Sequence, residues 1–242
     1  MTTKRLSNAA RVLALVLTAT AAAPAAGVGQ TPASPDPNAA ATPEELLATK
    51  PVDPGNPDWP CVQHKVMTLT AVQMWDGPPV DDIKGWNDND EIRKLIPGLV
   101  SRRASVEAAG AAIKAFAEKQ PADKRDASLT LLFAGVLDAI NTERRGIIDG
   151  IERFQRRQVA RALELQRQGS EIFKMKGQAA KAEGAAADDA KKKVAEAEER
   201  YTWDARVFQE RQRNVPLACE IPVLIEQRIF ELAREIRSHM KS

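Results

Sequence analysis

Large rings are scarce in this sequence: aromatic residues make up 5% of it, with a single tyrosine. That scarcity argues against a thick globular core and favours thin helix-on-helix packing, which tolerates the abundant alanine. Histidine is scarcer still, limited to His64 and His239. A His-rich zinc centre or a Ser-His-Asp arrangement has little material to draw on. The chain also lacks a P-loop, a G-x-G-x-x-G fingerprint and a C-x-x-C-H haem attachment motif. No enzymatic activity and no cofactor are therefore expected. Long apolar runs are missing too, since the run Val12–Ala23 has 12 residues, against the roughly 20 needed to span a bilayer. No integral membrane span is expected once that run is removed.

What is present at the N-terminus reads as a secretory signal over Met1–Ala26. Lys4, Arg5 and Arg11 form a basic start, the apolar run follows, and Ala23-Pro24-Ala25 supplies small residues for a signal peptidase. No cysteine follows the run, which argues against a lipoprotein anchor. The expected location is periplasmic or secreted. This segment carries three bases and no acid, so its loss takes the formal charge from +2 to −1. Residues 36–94 hold 11 acids against 5 bases, whereas 95–242 hold 22 acids against 27 bases. An acidic front on a mildly basic body is poor material for nucleic-acid binding, and no nucleic-acid partner is expected.

Cys61 and Cys219 are the only cysteines. In an oxidising compartment an even number at distant positions predicts a disulfide, the alternative being two buried thiols. The bridge would tie the front of the mature chain to its end.

Along the chain, residues 27–57 are rich in Ala, Pro, Thr and Asp and read as a disordered tether, with at most one helical turn near Pro43–Leu47. Residues 58–87 carry Trp59, Trp75 and Trp86, and their Pro and Gly forbid a long helix. The segment reads as an extended strap whose rings pack on a helical body, with Thr70-Ala71-Val72-Gln73 spaced for a capping box. An exposed aromatic binding site is the functional alternative.

Two short helices are expected within 88–120. The first starts near a capping Asp88 and is interrupted or bent at Pro97-Gly98. The second runs from about Ser105, with Val106, Ala109, Ile113 and Phe116 on one face.

A long helix follows, from about 122 to 175. Phe133, Val136, Ile140, Ile147, Ile151, Phe154, Ala162, Leu165 and Ile172 recur at multiples of three or four. The stripe resumes through Ala190, Val194, Tyr201, Phe208, Cys219, Ile229 and Ile236 after the small, polar stretch 177–189. Residues 121–242 therefore read as a coiled-coil-like antiparallel hairpin plus C-terminal helix, with its tip near residue 181. Doubling back there sets Phe154 beside Phe208, Leu165 beside Ala197 and Phe133 beside Ile229. Pro216 and Pro222 should kink or break the return, with Pro222 in the first turn of a final helix ending near Ser238.

Few constellations carry chemistry. Cys61, His64, Met67 and Met74 would suit copper, unless Cys61 is oxidised. Asp81, Asp82, Asp88, Asn89 and Asp90 lack the spacing of an EF-hand loop, and Glu196, Glu198, Glu199 and Asp204 read as solvating charges rather than an acid/base pair. The long helix carries Arg144, Arg145, Arg153, Arg156, Arg157 and Arg161, several four apart and so on one side. That stripe is either a solvent face or a docking surface, with Arg153, Arg156, Arg157 and Arg161 the candidate binding residues. The leading functional expectation is an exported, non-enzymatic scaffold or adaptor whose arm engages an envelope protein, with self-association into a homo-oligomer a further expectation. The alternatives are a periplasmic holdase chaperone and a small-ligand or copper carrier.

Overall fold

A computed structural model describes residues 42–48 and 55–241. The signal segment 1–26 and most of the expected tether lie outside the described residues. The expectation of an all-α fold holds: seven α-helices and one 3-10 turn are present, and no strand occurs among the described residues.

The helices are α1 (Pro43–Ala48), α2 (Ala71–Met74), α3 (Asp90–Val100), α4 (Val106–Lys119), α5 (Arg125–Ala179), α6 (Ala185–Gln212) and α7 (Asn214–Ser238). The 55 residues of α5 make a rod of about 80 Å at 1.5 Å per residue. Its apolar stripe is buried in three successive clusters. Near its N-terminus, Leu129, Leu132, Phe133, Val136 and Ile140 meet Ile92, Ile96 and Leu99 of α3, Ile113 and Phe116 of α4, and Ile225, Ile229, Leu232 and Ile236 of α7. This four-helix base holds most of the core. Next, Ile148 and Ile151 pack with Trp59, Cys61 and Cys219. Further out, Ala162 and Leu165 pack with Phe208, under Leu46 and Leu47 of α1.

Local chemistry sets the element ends. A 3-10 turn at Trp86–Asp88 precedes α3, so Asn89 rather than Asp88 is the cap, accepting from the N–H groups of Glu91 and Ile92 at 3.1 Å. Helix α3 continues through Pro97 to Val100 instead of being interrupted. Pro97 is exposed, so water can satisfy the carbonyl its ring deprives of a donor. Ser105 caps α4 by accepting from Ala108 N–H at 3.1 Å, although Val106 is exposed rather than part of the buried face.

The helical hairpin forms, its tip being residues 180–184, with Gly184 at a φ of 58° that favours glycine. At the base, Phe133 and Ile229 share one cluster as expected, whereas along the arm the expected register is displaced by about two turns. Phe208 sits against Ala162 and Leu165, while Phe154 is only half-buried and joins none of the three clusters. Ion pairs from Arg161 to Asp204 and from Lys176 to Glu198 also bridge the two limbs. The returning limb is broken at Arg213, between α6 and α7. Pro216, not Pro222, occupies the first turn of α7, and Pro222 lies buried inside that helix. The Pro222 carbonyl accepts from Arg144 Nη1 at 2.9 Å.

Candidate functional site

The strap is built as expected, with its rings inward. Cys61 and Cys219 form a disulfide, their Cα atoms 5.5 Å apart. Trp59 and Trp75 are buried, and the Trp75 ring stacks on Phe133 with centroids 4.2 Å apart. From Cys61 to Thr70 exposure alternates residue by residue, as in a strand, with Val62, His64, Val66 and Thr68 outward. This extended segment meets side chains of helices instead of a sheet. Asn141 on α5 accepts from Leu69 N–H at 2.8 Å and donates to Leu69 O at 3.0 Å. Arg144 Nε donates to Val66 O at 2.7 Å, and Gln63 Nε2 donates to Cys219 O. The exposed aromatic site considered for the strap thus does not form at Trp59 or Trp75.

The same geometry decides the copper reading. Sγ of Cys61 is bonded to Cys219 and offers no thiolate. Among the described residues no three His, Cys, Asp or Glu side chains converge as a metal site. In the acidic turn, Asp90 pairs with Arg93 and Asn89 caps α3.

The arginine stripe divides. Arg144 is buried in a structural network and reaches Glu226 at 2.6 Å. Arg145 is exposed and donates to Thr142 Oγ1 at 3.0 Å. Arg156 holds Asp58 of the strap at 2.7 Å, and Arg161 holds Asp204 of α6. Only Arg153 and Arg157 of the four candidate residues are exposed without an ion pair among the described residues. The stripe is therefore a mixed seam, half of it fastening the strap and the returning helix.

Of Glu196, Glu198, Glu199 and Asp204 on α6, Glu198 pairs with Lys176 at 2.5 Å and Asp204 accepts from Gln168 at 3.3 Å. On α5, Arg167 lies between Glu164 and Glu171. Its hydrogen bond, followed by that of Gln168, holds the Glu164 carboxyl below the usual carboxylate range, and the two glutamates raise the guanidinium in return. These are exposed contacts that dress the arm's surface and contribute little to folding.

A more prominent surface lies further along the arm. Trp203 on α6 is 63% exposed. It stands on one face of α6 with Arg200, Arg206, Thr202, Glu196 and Glu199. On α5, Phe173 is 79% exposed and Leu163 is also outward. The signal for Trp203 was available in the sequence, because it falls two residues off the buried Tyr201–Phe208 stripe and so on the opposite side of the helix. A second buried arginine escaped the charge pattern as well: Arg228 on α7 donates to Leu99 O at 2.7 Å and Ala104 O at 2.9 Å. Burial pulls its guanidinium below the ordinary value, opposed by Glu231 and Glu143.

Among the described residues no helix is long and apolar enough to cross a membrane. No protein family, curated protein or solved structure matches the chain.

Proposed function

We propose that the protein is an exported scaffold or adaptor whose helical arm engages another protein of the cell envelope. The observation that carries this reading is Trp203, two-thirds exposed between Arg200 and Arg206 on the outer face of α6. Tryptophan and arginine dominate the energetics of protein interfaces, because a large ring and a planar cation gain most when water is excluded around them. A ring of tryptophan's size and the Phe173 ring on α5 both have apolar area that a partner could cover. Export is supported by the basic-apolar-small pattern of residues 1–26 and is compatible with the disulfide. The base and strap then act as a rigid mount that holds the arm.

The test is affinity capture from envelope extract with the full chain, comparing wild type with a Trp203→Ala, Phe173→Ala double variant. The wild type is expected to retain a discrete set of proteins that the variant loses, while unfolding free energy stays within about 0.5 kcal/mol, as for other exposed substitutions. Identical captured sets from the two proteins reject the arm as the docking element.

A further inference from the structure

Helix α7 shows two faces of opposite use. Cys219, Pro222, Ile225, Ile229, Leu232, Ala233 and Ile236 are buried, those from Ile225 onward in the base. The opposite side leaves Leu217, Val223, Leu224 and Phe230 exposed. Beside its N-terminal half lies an apolar groove of about 420 Å³, lined by Pro60, Val62, Pro216, Val223 and Leu224 next to the disulfide. Val223 and Leu224 join this face to the groove, and Phe230 follows less than two turns along the helix.

The order of charges along this face selects an occupant. Glu220, Leu224, Gln227, Phe230 and Arg234 follow at steps of four, three, three and four, which places them in one stripe. Neither Glu220 nor Arg234 has an ion pair among the described residues, and Arg234 lies over the Phe230 ring at 5.0 Å. Reversing this stripe about Gln227 sets Glu220 opposite Arg234, Leu224 opposite Phe230, and Gln227 opposite itself. A face that complements its own reversal is what a two-fold interface requires.

We propose that α7 pairs antiparallel with α7 of a second copy, about a two-fold axis through Gln227. The partner's Phe230 then meets Leu224 at the edge of the apolar groove, and a Glu220–Arg234 pair closes each end. The two ion pairs lie about 21 Å apart, fourteen residues at 1.5 Å each. Aromatic burial in the groove supplies affinity, and the end pairs fix the direction and register of pairing. The dimer mounts two arms on one base, and it stands independently of what the arms bind.

Sedimentation of the full chain over a concentration series tests it through a charge exchange. Wild type is expected to dimerise. Glu220→Arg and Arg234→Glu should each weaken the dimer about tenfold, because each introduces two like-charged contacts at the ends, and the double variant should recover most of the loss. Gln227→Cys, placed at the axis, should cross-link to its own copy under mild oxidation, with Thr202→Cys on the arm as the control. A wild type that stays monomeric at every concentration overturns the proposal. So does a dimer indifferent to both charge reversals in which Gln227→Cys fails to cross-link.

Discussion

Arg144 is 2% exposed, and its guanidinium serves three acceptors on two segments: Val66 O on the strap, and Pro222 O and Glu226 on α7. Replacing it by methionine keeps the bulk but strands two carbonyls and a carboxylate. Unfolding stability should fall by about 2 kcal/mol, chiefly from the two carbonyls left without their donor, since Glu226 is 37% exposed and can be hydrated; denaturant titration measures it. Arg153→Met, outward on the same helix, should change it by less than about 0.5 kcal/mol. A spacing of four residues along α5 puts arginines on one side, but it carries no information about where a distant strap will cross them. That is why the stripe was legible and its division was not. Gly77 shows the same dependence on a neighbour. A Cβ there would lie 2.2 Å from the Trp75 ring, which is backed by Phe133. Gly77→Ala should cost about 2 kcal/mol through overpacking, with a matching change in tryptophan fluorescence.

At the scale of elements, the strap owes its place to a staple and a few side-chain bonds. In the chain-entropy account, closing a separation of 158 residues stabilises by about 5 kcal/mol. Reduction should therefore lower the unfolding midpoint and release residues 61–70 first. Hydrogen exchange should report lost protection at Leu69 N–H, held only by Asn141, while α5 keeps its own helical bonds. A second joint lies where the arm leaves the base. Gln155, Gln158 and Gln212 are buried there, beside the break at Arg213, and Gln158 Oε1 and Gln212 Nε2 have no hydrogen-bond partner. Each unsatisfied buried atom costs about 1–3 kcal/mol. The double variant Gln158→Leu, Gln212→Leu is expected to raise the unfolding midpoint. A lower midpoint would mean that the amides are bridged and support the joint.

For the whole molecule, periodicity and cysteine count made the all-α hairpin, its tip and its disulfide legible, because these depend on local spacing and on one long-range bond. Along the arm the register was missed by about two turns, while Phe133 and Ile229 meet in the base cluster as expected. Reflection through a tip assumes equal limbs, whereas Phe208 finds Ala162 and Leu165, and α1 covers that contact from a segment expected to be a tether. Pro222 was misplaced because α7 already begins at Asn214, so Pro222 lies buried inside the helix, its carbonyl bonded by Arg144, 78 residues away. The proposed docking surface was readable only in part, since the arginines advertised themselves by number and Trp203 by a single off-stripe position. The claim that the arm is the docking element is tested most directly by site-specific photocross-linking in the producing cell. A photoreactive amino acid placed at Trp203 should give a discrete protein adduct, suppressed by excess wild type but not by Trp203→Ala, and the same group at exposed Lys114 of α4 should give none. No adduct at Trp203, or the same adduct from both positions, would contradict the account.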